Sequence, residues 1–494
     1  MSDTALETQR EQAVATKVTL IHTEASGSQL EEKLKGLFDS QRQAFLKDPC
    51  PSREERVARL KKLQKALLDN KEALINAIHE DFGGRARNET LLAEFMPVLE
   101  AIKYSIRNLR KWMRPSKRHV GFQLQPASAK VVYQPLGVVG IVVPWNYPIQ
   151  LGAVPLVTAL AAGNRAMIKM SEYTPGTSAV FAEIIQNTFP EDQVSVVTGE
   201  ADVAVAFTAL PFDHLLFTGS TQVGRQVMAA AAKNLTPVTL ELGGKSPVIV
   251  ESDFPVEESA QRICFGKSIN SGQTCIAPDY LLIQRDTIEG FVQGYQKAFK
   301  AMYPSVGGNN EYSAVINDRQ YQRLQAHLED ARAKGADIRP VSDEVVNDGS
   351  RRMVPHLILN PTDEMTVMQE EIFGPLLPVI AIDDLGEAID YIRSKPRPLA
   401  LYYFGSDKAR QERVLAETHS GGVAVNDTVM HVAVDDMPFG GIGPSGMGHY
   451  HGHEGFMTFS KAKSVLTKGR ANSAKMVYPP YNSFLKKLLV KFLT

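Results

Sequence analysis

Cysteine is scarce in this chain of 494 residues, which contains only Cys50, Cys264 and Cys275. So few cysteines in so long a chain exclude a disulfide framework, and their odd number is typical of a reducing compartment. Each thiol must therefore be explained either by packing or by chemistry. We expect the protein to be cytoplasmic.

Long apolar runs and an excess of one charge are also missing. No run of about 18 consecutive apolar residues occurs, and the first stretch, MSDTALETQREQAVATKVTL, lacks the features of a signal peptide. Lys and Arg total 54 against 55 acidic residues, so no long-range field would attract nucleic acid. With 44% hydrophobic and 22% charged residues, the composition predicts a soluble globular protein whose partners bind at a local site.

The sequence has no internal repeat or low-complexity tract, and its texture changes along the chain. From about residue 30 to 106 apolar residues recur at helix spacing, and Ser52 with Glu55 forms an S-x-x-E capping box. After Val131, short β-branched runs such as GVVGIVV, RAMIKM and HLLFTG alternate with segments of helix length. This alternation predicts parallel sheets covered by helices, in two α/β domains joined near Leu240. The glycine-rich PFGGIGPSGMG is predicted to be a loop.

Cys275 lies in the stretch NSGQTCIAPDY, among small and polar residues. A cysteine that only fills space in a core usually has apolar neighbours. For Cys275 a role as a nucleophile is therefore as well supported as a role in packing. An unperturbed thiol has a pKa of about 8.5 and is mostly protonated at neutral pH. A catalytic Cys275 would therefore require a nearby base, a cation or a helix N-terminus.

Two polar residues end predicted strands. Glu241 closes the strand in PVTLELGGKSP, where a carboxylate is either a desolvated general base or a helix cap. Asn146, in GIVVPWNYP, could donate a hydrogen bond to an oxyanion or form an Asx turn before Pro148. The residues themselves leave both alternatives open.

Two further strand ends are candidates for a nucleotide site. Gly219, Ser220 and Gly224, in LLFTGSTQVGRQV, form a glycine turn between a strand and a helix, although the spacing is not G-x-G-x-x-G. Lys169 and Glu172 follow the strand in AMIKMSE, where they could contact phosphate or ribose hydroxyls. A plain glycine turn and exposed loop charges would explain the same patterns.

A metal site is not expected. His449, His451 and His453 occupy every second position in GHYHGHEGF, so a strand would place three imidazoles on one face. Glycines interleave them, however, and no C-x-x-C or H-E-x-x-H motif supplies a partner.

The set and order of these motifs resemble the NAD(P)-dependent aldehyde dehydrogenase superfamily. PWNYP, KMSE, FTGSTQVG, ELGGKSP, GQTC, EEIFGP and PFGGIGPSGMG lie within residues 30 to 470, which is nearly the whole chain. The resemblance implies an α/β fold with a Rossmann-like cofactor domain, a second α/β catalytic domain and a small β oligomerisation element.

The resemblance also implies a role for individual residues. Cys275 matches the nucleophile, Glu241 the base for hydrolysis, and Asn146, with the backbone N–H of Cys275, the oxyanion hole. The cofactor is NAD⁺, with NADP⁺ as an alternative, and no metal is involved. Met170 departs from the usual Lys-Pro-Ser-Glu motif. The residues that match cofactor contacts are Trp145, Lys169, Glu172, Gly219, Ser220, Gly224, Glu371 and Phe373.

By the same resemblance the chain divides into five segments. They are a polar N-terminal segment (1–25), a helical lead-in with the NAD(P)-binding domain (26–240, in which about 117–135 belongs to the oligomerisation element), a catalytic domain (241–430), an oligomerisation or return segment (431–470) and an amphipathic tail (471–494).

GHYHGHEGFMTFSK and VYPPYNSFLKK resemble the class 3 branch of the superfamily, and NDTVMHVAVDDMPFGGIGPSGMGHYHG resembles most its coniferyl-aldehyde type. This implies a homodimer that oxidises coniferyl aldehyde or another bulky apolar aldehyde. Medium- or long-chain fatty aldehydes are the alternative; acyl transfer to coenzyme A or a non-enzymatic role is less favoured. The tail YNSFLKKLLVKFLT predicts a basic amphipathic helix that docks on the dimer or contacts an anionic membrane surface.

Overall fold

The structure, a computed structural model, describes residues 27–121, 124–346, 348–470, 475 and 478–493. The predicted polar segment 1–25 lies outside these described residues. Within them, no helix combines the length and the apolar character that crossing a membrane requires.

Helices and strands alternate along most of the chain. The α-helices of the described part are Gly27–Lys47, Arg53–Asp69, Lys71–Phe82, Arg87–Thr90, Met96–Trp112, Pro148–Ala162, Pro175–Thr188, Ala201–Thr208, Thr221–Ala232, Val256–Ser268, Ile288–Met302, Asp318–Ala333, Thr366–Gln369, Leu385–Ser394, Lys408–Glu417, Gly452–Thr458 and Phe484–Leu493. The strands are β1 (Ser116–Arg118), β2 (Ser128–Pro135), β3 (Val138–Val142), β4 (Arg165–Lys169), β5 (Val194–Val197), β6 (His214–Thr218), β7 (Val238–Glu241), β8 (Pro247–Val250), β9 (Tyr280–Gln284), β10 (Asp337–Pro340), β11 (His356–Leu359), β12 (Leu376–Ile382), β13 (Ala400–Phe404), β14 (Gly422–Val425), β15 (Gly446–Met447) and β16 (Ser460–Thr467).

The helical lead-in is confirmed, and so is its capping box. The Ser52 hydroxyl accepts a hydrogen bond from the Glu55 N–H, and the Glu55 carboxylate accepts one from the Ser52 N–H. This reciprocal pair satisfies two backbone donors that the first turn of a helix leaves free, which is why the helix begins at Arg53. Its buried face carries Leu60, Leu63 and Leu67.

The first sheet has the strand order β15-β7-β6-β3-β4-β5, and all of its pairs except β15–β7 are parallel. Every residue of β3, β4 and β6 is buried, which explains their nearly continuous apolar sequences. Because Val142 of β3 pairs with Lys169 on one side and Phe217 on the other, the carboxyl ends of these strands lie side by side. Polar residues that follow these strands are thereby collected at one edge.

The prediction that the glycine-rich PFGGIGPSGMG is a loop is wrong for part of this stretch. Gly446–Met447 forms β15, which pairs with β7 so that Gly446 lies opposite Glu241. A Cβ on Gly446 would stand 2.1 Å from the Leu240 carbonyl oxygen, and its φ is 141°. Only glycine therefore allows the chain to return so closely against the end of β7.

A second sheet has the order β10-β11-β12-β9-β8-β13-β14 and is parallel except for β10. A third sheet, β1-β2-β16, is antiparallel, and β2 pairs with β16 from Ser128–Thr467 to Pro135–Ser460. Of the predicted oligomerisation segments, it contains the end of β1 and all of β2 from 117–135, and β16 from 431–470. That this sheet contacts a second copy, and the five-part division of the chain, stay predictions.

Candidate active site

Two cavities meet at Cys275. The first, which we call the polar cleft, has a volume of about 300 Å³, and the second, the apolar cavity, about 270 Å³. Cys275 lines both, so a thiol at this place can contact the contents of either one. The polar cleft brings together most of the predicted site residues, namely Trp145, Asn146, Gly219, Ser220, Glu241, Cys275, Glu371 and Phe373.

The turn before Cys275 has an unusual backbone that the sequence explains. Asn270 and Ser271 adopt left-handed conformations with φ of 49° and 52°, and Gly272 follows with φ of 74°. A Cβ on Gly272 would stand 2.4 Å from the Gly374 carbonyl oxygen. The Gln273 side chain then fixes the turn, because its amide donates to the carbonyls of Asn270 (2.9 Å) and Ala314 (3.0 Å).

Cys275 is half-buried and its thiol is hard to ionise here. Burial, followed by the charges of Glu371 and Glu241, raises its pKa to about 12, while the backbone N–H groups of Cys275 and Ile276 act in the opposite direction. Cys264 is different, because it is fully buried within hydrogen-bonding distance of Ser268, at 3.8 Å, which is the setting of a packing cysteine. A reactive Cys275 therefore needs a base close by.

Asn146 is buried and held from both sides. Its Nδ2 donates to the Gln273 carbonyl at 3.1 Å, and its own carbonyl accepts from Arg85 Nη1 at 2.6 Å and Asn270 Nδ2 at 3.0 Å. The side chain therefore reaches the turn before Cys275 and does not close an Asx turn. Its amide has a second N–H, for which the described part of the chain shows no acceptor and which can therefore donate to a ligand oxygen.

Glu241 ends β7 as a buried carboxyl group without a hydrogen-bond partner among the described residues. Neither carboxyl oxygen is bonded, so the helix-cap alternative is not observed. Burial raises the pKa of Glu241 well above its usual value. A carboxyl group of this kind takes up protons readily, which is the property of a general base.

The glycine turn after β6 is built as predicted around Gly219 and Ser220. Ser220 caps the helix Thr221–Ala232 by accepting from the Val223 N–H at 3.4 Å, and the Gly219 N–H donates to the Glu241 carbonyl at 3.0 Å. Gly224 is not part of this turn. It is buried inside the helix, where a Cβ would stand 2.6 Å from Leu242, and it does not line the polar cleft.

Lys169 is the last residue of the neighbouring strand β4 and Glu172 follows it; neither lines the polar cleft. Lys169 is buried; its Nζ donates to the Met170 carbonyl at 2.7 Å and forms an ion pair with Glu172 at 3.7 Å. Burial lowers the pKa of Lys169, and Glu172 opposes this effect. The pair stands where a ligand that extends along the strand ends would pass.

Glu371 and Phe373 form the wall of the polar cleft opposite the first sheet. Burial and the neighbouring Asp279 raise the pKa of Glu371 to about 8. A Cβ on Gly243 would clash with the Glu371 carboxylate, so a side chain at this position would require that carboxylate to move. Phe373 has a left-handed φ of 48° and meets the Trp145 ring edge to face, with centroids 5.2 Å apart.

Three residues outside the predicted set hold this wall in place; Lys245 and Asp279 belong to quoted motifs, whereas Arg323 belongs to none. Lys245 Nζ donates to the carbonyls of Val367 (2.8 Å) and Glu370 (3.0 Å), and it pairs with Asp279. Asp279 in turn accepts from the Ile372 N–H at 3.0 Å. Arg323 donates to the carbonyls of Glu371 at 3.2 Å and Ile372 at 2.6 Å.

The polar cleft fits the predicted cofactor, NAD(P)⁺. Glu371 and Thr218 line it, and the buried oxygens Glu371 Oε1 and Thr218 Oγ1 have no hydrogen-bond partner among the described residues, so both can accept from ribose hydroxyls. Ser220 and the start of the helix Thr221–Ala232 present backbone N–H groups, which suit a pyrophosphate. The described residues contain no group of three His, Cys, Asp or Glu side chains that could hold a metal ion.

The apolar cavity is lined by Leu92, Met96, Phe265, Ile269, Val432 and Phe439, among others. Besides Cys275, its polar lining residues are Tyr147, Gln150, Thr274 and Tyr450, and the Tyr147 and Thr274 hydroxyls are hydrogen-bonded to each other at 2.8 Å. The cavity therefore suits a bulky apolar group whose reactive end reaches Cys275.

The three alternating histidines do not share a strand face. His451 is buried beside Phe439, with ring centroids 5.2 Å apart, and His453 lies in the helix Gly452–Thr458 against Trp112. The glycine between them begins that helix with a left-handed φ of 53°. A helix start thus replaces the strand that three aligned imidazoles would have required.

Residues 27–465 match the model of the Aldehyde dehydrogenase family. The chain is 58% identical over 460 residues to a probable coniferyl aldehyde dehydrogenase of Pseudomonas aeruginosa, which covers 93% of this chain and 96% of that protein. It is 46% identical over 462 residues to the coniferyl aldehyde dehydrogenase of Pseudomonas sp. strain HR199, with coverages of 93% and 96%. The solved substrate-bound state of Staphylococcus aureus AldH matches with a TM-score of 0.87 at 36% identity, covering 93% of this chain and 99% of that chain.

Proposed function

This chain belongs to the aldehyde dehydrogenase family, and from that premise we propose that Cys275, Glu241 and Asn146 carry out its reaction on coniferyl aldehyde or a similar bulky aldehyde. As a member of the family it is an oxidoreductase that converts aldehydes to carboxylic acids with NAD(P)⁺. The observation that carries the proposal is the position of Cys275 between the polar cleft and the apolar cavity.

The first half of the reaction takes place at the mouth of the apolar cavity. The sulfur of deprotonated Cys275 forms a bond to the aldehyde carbon, and the carbonyl π electrons move onto oxygen. The free N–H of Asn146 and the backbone N–H of Cys275 donate to that oxyanion; losing one such donor typically costs about 10²–10³ in rate. NAD(P)⁺ held in the polar cleft would supply the hydride acceptor, and loss of hydride from this carbon as the C=O bond re-forms would leave a thioester on Cys275.

The second half releases the acid. Glu241 accepts a proton from a water molecule whose oxygen adds to the thioester carbon. The C–S bond then breaks, the sulfur leaves with the electron pair, and the carboxylic acid departs. The raised pKa of Glu241 makes this buried carboxylate a stronger base than an exposed one.

Two other chemistries on this fold are less well supported. Transfer of the acyl group to coenzyme A needs no base for water, and Glu241 is an unpartnered base candidate next to Cys275 in the polar cleft. A non-enzymatic role would give no reason to keep a nucleophile, a base and an oxyanion donor in one cleft.

The substrate proposal rests on the apolar cavity and on the names of the two Pseudomonas relatives. We expect higher kcat/KM for coniferyl, benzyl and C6–C16 aliphatic aldehydes than for small charged semialdehydes. Ala93→Phe should lower kcat/KM for coniferyl aldehyde by about tenfold or more, because Ala93 lines the cavity and a phenyl ring would fill it.

Acetaldehyde is the internal control for Ala93→Phe, since a two-carbon substrate needs little of the cavity. Its kcat/KM should change by less than about threefold. Steady-state kinetics on both substrates check this, and a preference of the unaltered protein for a small charged semialdehyde alone would contradict the substrate proposal.

For the cofactor we propose a preference for NAD⁺ over NADP⁺. A carboxylate at Glu172 accepts from a ribose 2′-hydroxyl and repels a 2′-phosphate. Glu172→Gln should therefore raise the ratio of kcat/KM for NADP⁺ to that for NAD⁺ by about tenfold, the equivalent of one ordinary charge interaction. An unchanged ratio would show that Glu172 does not face the adenosine ribose.

The assembly and the location stay predictions: a cytoplasmic homodimer whose tail docks on the dimer or on an anionic membrane surface. The tail helix Phe484–Leu493 is present as predicted, and Phe484, Leu485 and Leu488 are exposed on it. Lys486 Nζ turns back to the Pro480 carbonyl at 3.0 Å.

A further inference from the structure

A buried ion cluster lies directly behind Asn146, and the reaction outlined above does not use it. Arg85 and Glu94 have fully buried side chains and Glu89 one that is 8% exposed. Arg85 is 3.5 Å from each carboxylate, and its guanidinium lies over the rings of Phe82 and Tyr147. Burying three charged groups is costly, so a cluster of this kind requires an explanation.

The hydrogen bonds of Arg85 are not directed at its two carboxylates. Its Nε and Nη2 have no hydrogen-bond partner among the described residues, whereas Nη1 donates to the Asn146 carbonyl at 2.6 Å. A guanidinium placed for stability alone would form paired hydrogen bonds with a carboxylate. The geometry of Arg85 therefore favours the backbone of Asn146.

The two carboxylates each fix one of the elements that meet at Asn146. Glu94 accepts from the N–H groups of Ile149 (2.7 Å) and Gln150 (3.1 Å), in the first turn of the helix Pro148–Ala162. That turn is separated from Asn146 by a single residue, Tyr147. Glu94 thus determines where the helix begins and, with it, the path of the backbone that carries the Asn146 side chain.

Glu89 holds the other element, the turn before Cys275. It accepts from the backbone N–H of Asn270 and from the Ser313 hydroxyl. The Asn270 side chain in turn donates to the carbonyls of Asn146 at 3.0 Å and Gln273 at 3.3 Å. The cluster therefore joins the strand end that carries the oxyanion donor to the turn that carries the nucleophile.

We propose that Arg85 is a positioning residue, which together with Glu89 and Glu94 holds Asn146 in register with the turn before Cys275. The inference rests on the proposed function, since it needs Asn146 to be the oxyanion donor. A displacement of about 1 Å at a reacting group can cost about 100-fold in rate. Arg85 acts through Asn146 and does not itself contact the aldehyde.

The test compares Arg85→Lys with a matched buried arginine. Arg56 is also buried and donates to the carbonyls of Ala161 (3.1 Å) and Ala162 (2.8 Å), at the far end of the same helix. Arg85→Lys should lower the single-turnover rate of NADH formation by about 10- to 100-fold and leave the Kd for NAD⁺ within about threefold. Arg56→Lys should shift the midpoint of unfolding by about as much as Arg85→Lys does. It should not slow the single-turnover rate by more than about twofold.

A double-mutant cycle with Asn146→Ala separates positioning from a general loss of structure. Asn146→Ala alone should slow the single turnover by about 10²–10³. Adding Arg85→Lys should then slow it by less than about threefold, because the donor that Arg85 positions is gone. Glu89→Gln replaces Arg85→Lys in this cycle if Arg85→Lys does not fold. It too should slow the single turnover when Asn146 is present and have little further effect when Asn146 is alanine.

Two outcomes would overturn the inference. If Arg85→Lys slows the single turnover by the same factor with and without Asn146, Arg85 acts elsewhere. If Arg85→Lys matches Arg56→Lys in both stability and rate, the cluster is only structural. A normal rate in Asn146→Ala alone would instead show that Asn146 is not the oxyanion donor. The proposed reaction would then be wrong at that residue, and Arg85 would have no donor to position.

Discussion

Replacing Cys275 by alanine is expected to reduce aldehyde oxidation by about 10⁴-fold or more, because the thioester that splits the reaction in two can no longer form. Binding of NAD⁺ should survive, since the other residues that line the polar cleft remain in place. NADH formation followed by absorbance measures the first effect, and a fluorescence titration with NAD⁺ measures the second.

Cys264→Ala is the matched control for this variant. Cys264 is fully buried, and burial raises its pKa to about 12, as it does for Cys275. Its removal should lower the free energy of unfolding by creating a small cavity, yet change the rate by less than about threefold. Turnover retained in Cys275→Ala, or lost in Cys264→Ala, would place the nucleophile elsewhere.

Glu241→Gln should separate the two halves of the reaction. The amide keeps the shape of the carboxyl group but cannot take a proton from water, so steady-state turnover should fall by about 10²–10⁴. A burst of NADH close to one per site should remain, since hydride transfer precedes hydrolysis. Rapid-mixing absorbance resolves the burst from the steady state.

The pH dependence of Glu241→Gln gives a second readout. Burial raises the pKa of Glu241, so at any given pH a smaller fraction of it is basic than of an exposed carboxyl group, and that fraction grows as the pH rises. Steady-state turnover of the unaltered protein should therefore increase as the pH rises through the range in which Glu241 titrates, and the variant should lack this increase. Loss of the burst in Glu241→Gln, or an acyl coenzyme A product from the unaltered protein, would contradict the assignment.

The sequence predicted those site residues that follow parallel strands. Asn146, Ser220 and Glu241 could be grouped because the carboxyl ends of adjacent parallel strands share one edge. Cys275 stood out because its neighbours are polar. The role of each side chain could not be predicted from these positions. A carboxylate at a strand end has the same sequence pattern whether it caps a helix or acts as a base.

Three features could not be predicted, because each depends on the tertiary fold. Arg85 and Glu94 lie within a helical lead-in, where charged residues usually face solvent, and only the tertiary fold buries them. Gly224 was grouped with the phosphate turn by its spacing, but its packing against Leu242 depends on the angle of a helix on a strand. The strand at Gly446–Met447 is equally a product of long-range pairing.

The mass of the covalent intermediate shows most directly whether Cys275 is the nucleophile. Glu241→Gln incubated with NAD⁺ and coniferyl aldehyde should accumulate a thioester, and peptide mass spectrometry should find the acyl group on the peptide that contains Cys275. One acyl group is expected for each NADH formed in the burst. An NADH burst with unmodified Cys275, or with the acyl group on another residue, would contradict it.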